Sequence, residues 1–188
     1  MKTQKELPII DSLIIKNDVF EDIRGFFITS WEKYNSSISI KNFRPISLYF
    51  SYNKKYVLRG FHQQEKPFEQ SKLVQCIHGE IYDVIVDTRI NSPTYSKWYG
   101  TILNPESKQA LYIPKGCAHA FISLQENSII SYLIEGEYKK QYTSSFSWDD
   151  PILNINWPID NPIISEKDSK AQSFESYMKS RLKNKDKK

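Results

Sequence analysis

The chain has 188 residues, enough for one domain with a single hydrophobic core and too few for a second full domain. Its formal net charge of +4 invites a nucleic-acid partner, but residues 181–188 carry that whole excess and residues 1–180 are balanced. We therefore expect one domain at residues 1–180, a basic flexible tail at residues 181–188, and no nucleic-acid partner.

The cysteines and the lengths of the apolar runs indicate where in the cell the protein is expected. The two cysteines, Cys76 and Cys117, have neither the close spacing of a zinc motif nor the density of a disulfide framework. The N-terminal apolar run is broken at Asp11 and Ser12, and no later run approaches the roughly 18 apolar residues of a membrane span. The sequence predicts a cytoplasmic protein without a membrane segment.

Short runs of β-branched and aromatic residues follow one another from Val57 to about Tyr138, bounded by Gly, Pro, Asn and Ser. The first clear pair of strands flanks a turn at residues 78–80, and the second of them places Tyr82, Val84 and Val86 on one face. Turns are predicted at residues 91–93 and 104–107, and further strands at residues 111–116, 120–124 and 128–134. A train of strands without intervening helices favours an all-β jelly-roll sandwich or barrel.

Helical patterns occur only near the C-terminus. Ser165 and Asp168 have the spacing of a capping box, and a polar segment with scattered apolar residues follows to about Leu182. From the residues alone, the Asp168 carboxylate is a helix cap.

Histidine is scarce, since His62, His78 and His119 are the three in the chain. A metal-binding sandwich uses three or four ligands, often including a His-x-His pair, and no such pair occurs here. The sequence therefore predicts no metal site. His78 lies in a predicted turn, which favours a surface position.

His62 follows Arg59-Gly60 in the segment VLRGFHQQ. A guanidinium for phosphate and an imidazole for proton transfer would lie close together on one strand. A buried histidine bonded to backbone is an equal alternative. A second Arg-Gly pair, Arg24-Gly25 in EDIRGFF, could contact an anion, although such pairs also arise in ordinary turns.

Several segments, in order and with similar spacing, resemble the dTDP-4-dehydrorhamnose 3,5-epimerase family. They are EDIRGFF, VLRGFHQQ, SKLVQCIHGEIYDVIVDTRINSPTYSKW, LYIPKGCAHAF, SFSWDDPILNINWP and ISEKD. The likeness covers roughly residues 8–172. It implies a cupin-like jelly roll that forms homodimers and acts on a nucleotide-diphosphate 4-keto-6-deoxy sugar with neither metal nor cofactor.

The same resemblance implies a role for particular residues. His62 matches the catalytic base and Asp168 the carboxylate that orients it, while Lys72 matches a cation at the sugar ketone and Tyr132 the acid on the opposite face of the sugar. The implied substrate contacts are Arg59, His119, Tyr138, Ser47, Tyr49, Phe26 and Arg24, the last supplied to the site of the partner subunit. The implied reaction is inversion at C3, C5 or both through an enolate.

The chain departs from the family pattern at recognition positions. Ser47 and Tyr49 stand where the family commonly has a Gln-x-Asn pair. Thr29, Ala120 and Glu137 replace other familiar residues. These departures predict that the natural nucleotide or sugar differs, for example a CDP- or GDP-linked 4-keto sugar. A 3,4-keto-isomerase of a sugar nucleotide, a non-catalytic sugar-nucleotide-binding cupin and a metal-dependent oxygenase are the alternatives.

Overall fold

The computed structural model of the chain describes residues 3–32, residue 40 and residues 42–185. The first strands are β1 Thr3–Glu6, β2 Leu13–Lys16, β3 Val19–Asp22, β4 Gly25–Ile28 and β5 Ser47–Asn53. The next are β6 Leu58–Gln64, β7 Ser71–His78, β8 Ile81–Asp87, β9 Trp98–Leu103 and β10 Gln109–Ile113. The last are β11 Cys117–Ser123, β12 Ser128–Glu135 and β13 Thr143–Ser145, followed by helices α1 Glu166–Ser169 and α2 Phe174–Lys185.

The strands form two antiparallel sheets that face each other. One sheet has the order β1-β2-β10-β7-β12-β5 and the other the order β13-β6-β11-β8-β9, while β3 and β4 form a separate hairpin. Apart from the pairs β1–β2 and β8–β9, neighbouring strands in each sheet are not consecutive in sequence, as in a jelly roll. The all-β, cupin-like class predicted from the train of short strands is confirmed.

Three apolar layers account for the alternating pattern of the strands. The inner layer lies between the sheets and includes Val74, Ile85, Leu111 and Ile130. The outer face of the five-stranded sheet is covered by residues after β13 and by α2. The outer face of the six-stranded sheet packs against Phe43. Each sheet is therefore buried on both faces over much of its area, and polar side chains in the inner layer need partners.

The strand pattern of β8 matches the expectation. Val84 and Val86 are fully buried on the outer face of the five-stranded sheet, and Tyr82 packs beside them. The opposite face of β8 carries Ile81 and Ile85 into the inner layer. Strand β8 thus contacts an apolar layer on each side.

The C-terminal segment differs from the expectation in two respects. The helical pattern after Ser165 is interrupted, so that α1 has four residues and α2 begins again at Phe174. The flexible tail predicted from residue 181 is wrong at its start, because α2 continues to Lys185. The Arg181 guanidinium donates to Tyr177 Oη at 2.7 Å and lies 3.4 Å from Glu65, which anchors this turn of the helix. The remainder of the predicted tail, residues 186–188, lies outside the described residues.

Within the described part of the chain, no helix is long and apolar enough to cross a membrane.

Candidate active site

A bulge in β6 brings Arg59 and His62 to the same face of the sheet. In the pairing with β11, His62 lies opposite His119 and Arg59 lies opposite Phe121, so three residue steps along β6 match two steps along β11. In a regular strand, residues three apart point to opposite faces. The extra residue of the bulge corrects this and turns both side chains toward the space between the sheets. The expected proximity of Arg59 and His62 therefore depends on the bulge.

Gly60 makes the bulge possible. Its φ is +127°, a conformation that side chains with a Cβ rarely adopt. A Cβ at this position would lie 2.5 Å from the Cβ of Ala120 and 2.6 Å from the carbonyl oxygen of His119. Only glycine fits at this point, because the β6 backbone lies so close to the neighbouring strand β11.

The imidazole of His62 is paired with a buried carboxylate. His62 Nε2 lies 2.6 Å from Asp168 Oδ1, and the Asp168 side chain is 5% exposed. Burial alone would raise the pKa of Asp168, but hydrogen bonds from His62, Ser165 and the Gly60 backbone hold it below its ordinary value. A carboxylate kept ionised in this position fixes the ring orientation and stabilises an imidazolium.

Helix α1 supplies the Asp168 carboxylate in the right place. Ser165 is the N-cap residue, and its side chain accepts a hydrogen bond from the Asp168 backbone N–H at 3.1 Å. The predicted cap is present, but the Asp168 carboxylate does not serve it. That carboxylate turns instead toward His62.

A second histidine-carboxylate pair lies deeper between the sheets. His119 Nε2 is hydrogen-bonded to Asp83 Oδ1, and both side chains are buried. Asp83 Oδ2 is buried and has no hydrogen-bond partner among the described residues. The negative charge of Asp83 raises the pKa of Lys72 on the facing sheet, so this carboxylate lies within electrostatic reach of that lysine.

Lys72 and Tyr132 come from the facing sheet. Tyr132 on β12 pairs with Val74 on β7, and Lys72 lies two residues before Val74, so both side chains share the inner face. The Tyr132 ring lies 6.3 Å from the ring of His119, measured between centroids. Since His119 pairs directly with His62, the phenol faces the imidazole across the interior.

The amino group of Lys72 has an altered acidity. Burial lowers the pKa of Lys72 to about 8, although the negative charge of Asp83 raises it in part. The lysine is therefore protonated at neutral pH but close to its titration.

The Tyr132 hydroxyl has a defined partner. Its oxygen lies 2.9 Å from Ser51 Oγ. Asn53 Nδ2 donates to Ser51 Oγ at 3.0 Å, and Arg59 Nε donates to Asn53 Oδ1 at 2.8 Å. Burial raises the pKa of Tyr132, while the hydrogen bond to Ser51 and the charge of Arg59 lower it. Hydrogen bonds through the side chains of Ser51 and Asn53 thus connect the Tyr132 hydroxyl to Arg59 on the five-stranded sheet.

The two divergent recognition positions also line this interior. Tyr49 on β5 pairs directly with Tyr132, and Ser47 pairs with Ile134. Directly opposed residues of antiparallel strands share a face, so Ser47 and Tyr49 point to the same side as Tyr132. The Tyr49 side chain is half exposed, which places it toward the mouth of the site.

Tyr138 lies on a loop that Gln64 ties to β6. The Lys139 backbone N–H donates to Gln64 Oε1 at 2.8 Å, and Gln64 Nε2 donates to Thr143 Oγ1 at 2.7 Å. The Tyr138 ring is half exposed beside this connection. Gln64 thus fixes the loop that presents the aromatic ring.

Arg24 and Phe26 lie away from the other predicted site residues. Both belong to the region of the β3–β4 hairpin, which pairs with neither main sheet. The Arg24 side chain is 85% exposed and forms an ion pair with Asp22. Phe26 is also exposed, with the Lys108 amino group 5.1 Å from its ring centroid. The contacts of these two side chains are thus with Asp22 and Lys108 rather than with the residues around His62.

A cavity of about 320 Å³ opens beside the His62 pair and is bounded by Arg59, His62 and α1 residues Lys167 and Asp168. In the described ranges, no group of three or more His, Cys, Asp or Glu side chains is arranged to hold a metal ion.

Sequence reasoning missed four residues of the site: Asp83, Ser51, Asn53 and Gln64. The pattern of β8 could have indicated Asp83, because a carboxylate alternates there with Ile81 and Ile85 on the face opposite Val84. An acidic residue on a buried face requires a partner, and His119 supplies it. The other three residues are polar in ordinary strands, and only the tertiary pairing reveals them.

Comparison with known proteins identifies close relatives. The sequence profile described as dTDP-4-dehydrorhamnose 3,5-epimerase matches residues 6–176. The protein named dTDP-4-dehydrorhamnose 3,5-epimerase from Shigella flexneri is 40% identical over 170 residues, which cover 90% of this chain and 93% of that protein.

Solved structures agree with the sequence match. NovW, a 4-keto-6-deoxy sugar epimerase from Streptomyces spheroides, superposes with a TM-score of 0.91 at 30% identity and covers 97% of this chain and 92% of its own. ChmJ, a 3'-monoepimerase from Streptomyces bikiniensis solved with dTDP-quinovose, superposes with a TM-score of 0.83 at 28% identity, covering 94% of this chain and 89% of its own.

Proposed function

This chain belongs to the dTDP-4-dehydrorhamnose 3,5-epimerase family, and we propose that His62 and Tyr132 invert a carbon next to the ketone of a nucleotide-linked 4-keto-6-deoxy sugar. The protein is an isomerase of the sugar-nucleotide epimerase type. The carbons inverted, the natural nucleotide and the residue roles are part of the proposal.

One observation carries the assignment of roles. His62, which is paired with Asp168 of α1, belongs to one sheet and Tyr132 to the facing sheet. The cavity of about 320 Å³ beside His62 offers space for a sugar ring. A base on one side and a hydroxyl on the other is the arrangement that inversion requires, since the new proton must arrive on the face opposite the one that was lost.

The chemistry proceeds by two proton transfers. Neutral His62 takes the proton from the carbon beside the ketone, and the electron pair of the C–H bond moves onto the ketone oxygen as an enolate. The Lys72 ammonium stabilises that oxygen. Tyr132 then gives its proton to the opposite face of the carbon, and the electron pair returns to form the new C–H bond. The Tyr132 phenolate and the His62 imidazolium finally exchange protons with solvent, which restores the site.

Arg59 and Tyr138 are proposed to bind the nucleotide diphosphate. The guanidinium of Arg59 is exposed at the mouth of the site with its Nε held by Asn53, so that its terminal nitrogens can face a phosphate. The half-exposed ring of Tyr138 can stack on a base. Arg59 therefore sets the distance between diphosphate and His62.

Ser47 and Tyr49 are proposed to alter substrate choice. Tyr49 brings a large ring to the inner face directly beside Tyr132, and Ser47 is too short to replace a carboxamide contact. We propose that the protein prefers a sugar nucleotide other than the dTDP-4-keto-6-deoxyglucose implied by the family resemblance. CDP- and GDP-linked 4-keto sugars are the first to compare.

A homodimer is part of the proposal. Strand β5 forms an edge of the six-stranded sheet and exposes Leu48, Phe50 and Tyr52 on its outer face. An exposed apolar edge of this kind is a common protein interface. A second copy on this edge would also give the isolated Arg24 hairpin a site to reach. The cytoplasmic location expected from the sequence stays a prediction.

The experiment that tests the function follows deuterium. The protein is incubated in deuterated water with dTDP-, CDP- and GDP-linked 4-keto-6-deoxy sugars, and NMR records label and configuration at C3 and C5. Label with inversion at both carbons assigns a 3,5-epimerase, and label with inversion at one carbon assigns a mono-epimerase.

The same spectra separate the rival functions. A 3,4-keto-isomerase gives a constitutional isomer with the carbonyl moved, and a binding protein gives line broadening without label. Either result contradicts the proposed epimerase. Rapid turnover of the dTDP sugar with slower turnover of the CDP and GDP sugars contradicts the altered specificity while leaving the reaction intact.

A further inference from the structure

We propose that Ser51 is a positioning residue for Tyr132, donating a hydrogen bond to the phenol oxygen so that the phenolic proton points at the substrate. This assignment rests on the proposed function, because it concerns the step in which Tyr132 protonates the sugar carbon. Ser51 acts through Tyr132 and need not touch the sugar.

The strand register puts Ser51 in reach of Tyr132. Ser51 on β5 pairs with Ile130 on β12, and Tyr132 lies two residues further along the same face of β12. The two side chains are therefore diagonal neighbours on the inner face, within reach of a long aromatic residue. Their oxygens are 2.9 Å apart.

Distance alone lets either hydroxyl donate, and the contact with Asn53 favours donation by Ser51. Asn53 Oδ1 accepts from Arg59 Nε, which fixes the amide so that Nδ2 points at Ser51. Asn53 Nδ2 then donates to Ser51 Oγ at 3.0 Å and occupies a lone pair of that oxygen. We assign the Ser51 hydroxyl proton to Tyr132 Oη, 2.9 Å away, so that the phenol keeps its own proton for the substrate.

The surroundings of Asn53 make this orientation rigid. The Asn53 side chain is 3% exposed, and its Nδ2 also lies 3.2 Å from the carbonyl oxygens of Ser51 and Ser128. Turning the amide over would bring its oxygen against both carbonyl oxygens and its nitrogen against the Arg59 guanidinium. Each of those contacts would lose a hydrogen bond in a buried position.

The hydrogen bond between Ser51 and Tyr132 matters most when the Tyr132 oxygen becomes negatively charged. Burial raises the pKa of Tyr132, and the nearby Asp83 charge raises it further. The groups that oppose this rise are Ser51 and Arg59. When Tyr132 gives its proton to the enolate carbon, the phenolate oxygen is left with a full charge. The Ser51 hydrogen bond then becomes charge-assisted and stronger.

Loss of Ser51 should affect inversion more than hydrogen exchange. Removal of the carbon proton by His62 does not involve the phenol, so hydrogen exchange without inversion should survive the loss of Ser51. Delivery of the proton by Tyr132 should slow, since the phenolate is less stabilised and the hydroxyl is free to rotate. The ratio of exchange to inversion therefore reports on Ser51.

The experiment measures this ratio by NMR in deuterated water with whichever of the dTDP-, CDP- and GDP-linked 4-keto sugars the unsubstituted protein turns over. Ser51→Ala should lower the rate of inversion by about 10- to 100-fold, the usual effect of losing a hydrogen bond to a charged group. Deuterium exchange with retention should stay within about twofold, because the base is untouched. Ser51→Thr should restore most of the inversion rate.

Ser131→Ala is the matched control, because Ser131 neighbours Tyr132 on β12 and pairs with Phe50, which places it on the opposite face. That variant should keep the ratio of the unsubstituted protein. An unchanged ratio in Ser51→Ala, or an equal fall of exchange and inversion that Ser51→Thr does not rescue, overturns the role of Ser51 and leaves the proposed function standing. Absence of exchange by the unsubstituted protein on all three sugars overturns both proposals.

Discussion

Asp168 Oδ1 lies 2.6 Å from His62 Nε2, while the backbone N–H of the same aspartate donates to Ser165 Oγ. Asp168 therefore takes part in both the helix cap, through its backbone N–H, and the contact with the imidazole, through its carboxylate. The cap fixes where α1 starts, and the start of α1 fixes the carboxylate against His62. The Ser165–Asp168 spacing therefore agrees both with a helix cap and with the proposed role of Asp168 in orienting His62, because the two contacts use different atoms of Asp168.

Substitution of this pair should separate the base from the group that orients it. His62→Ala should lower both deuterium exchange and inversion by about 10²–10⁴-fold, the range typical of a general base. Asp168→Asn should lower both rates as well but by less, since the imidazole remains and loses its ionised partner. The rates are measured by NMR in deuterated water. Normal exchange in His62→Ala would remove the proposed base.

Loss of the phenol should affect the product more than the exchange. Tyr132→Phe keeps the ring that packs against Phe121 and His119, whose centroids lie 6.5 and 6.3 Å away, and removes the proton donor alone. We expect deuterium exchange to persist within about tenfold and inversion to fall by about 10²-fold or more. Proton NMR of the product distinguishes the two. An inversion rate equal to that of the unsubstituted protein contradicts the acid role.

The pH dependence should show the titration of Lys72. Burial lowers the pKa of Lys72 to about 8, and an amine stabilises an enolate oxygen only when it is protonated. The value of kcat should therefore fall as the pH rises through about 8. Lys72→Met should lower kcat by about 10²–10³-fold at neutral pH and lose that descending limb. A descending limb near the same pH in Lys72→Met would assign it to another group.

Much of the fold follows from local sequence patterns, and the features that were not predicted depend on contacts between residues distant in sequence. Tyr82, Val84 and Val86 share a face as predicted, because strand periodicity is local. A helical pattern was predicted to about Leu182, but residues from 181 onward were also interpreted as a flexible tail, because a run of basic residues resembles a solvated terminus. In the structure α2 continues to Lys185, and Arg181 contacts Tyr177 one turn earlier in the helix and Glu65, which is distant in sequence.

The site was predictable as a set of residue types but not as a geometry. Arg59 and His62 are three residues apart, and without the bulge they would face opposite sides of the sheet. The bulge depends on the contact of Gly60 with Ala120, which no local pattern reveals. Asp83 was not predicted because its partner His119 lies 36 residues away in sequence and meets it only where β8 pairs with β11.

Gly60 offers a test of the bulge, with Gly25 as a matched control. Both residues have a positive φ, +127° and +118°, but a Cβ at Gly25 would meet no atom within 4 Å. Gly25→Ala should cost about 1–3 kcal/mol of the free energy of unfolding, from backbone strain alone. Gly60→Ala should cost more than that, because its Cβ also overlaps Ala120 and His119. Chemical denaturation measures both, and equal costs would contradict the close approach.

The exposed hairpin supports a prediction about subunits. The exposed Arg24 side chain is paired with Asp22 on a hairpin separate from both main sheets, and we expect it to bind substrate at the site of a second copy. Arg24→Ala should lower kcat/KM by about 10- to 100-fold through loss of a charged phosphate contact. His62→Ala and Arg24→Ala homodimers should both be poorly active.

A heterodimer of those two variants should recover activity. One of its two sites combines His62 from the Arg24→Ala chain with Arg24 from the His62→Ala chain, so about half of the native rate per dimer should return. Two affinity tags purify the heterodimer, and the NMR assay measures its rate. A His62→Ala and Lys72→Met heterodimer is the control, because those residues belong to one chain's site and no recovery is expected. Equal activity of the two heterodimers would show that Arg24 does not serve the partner, since complementation occurs only when the two lost side chains come from different chains.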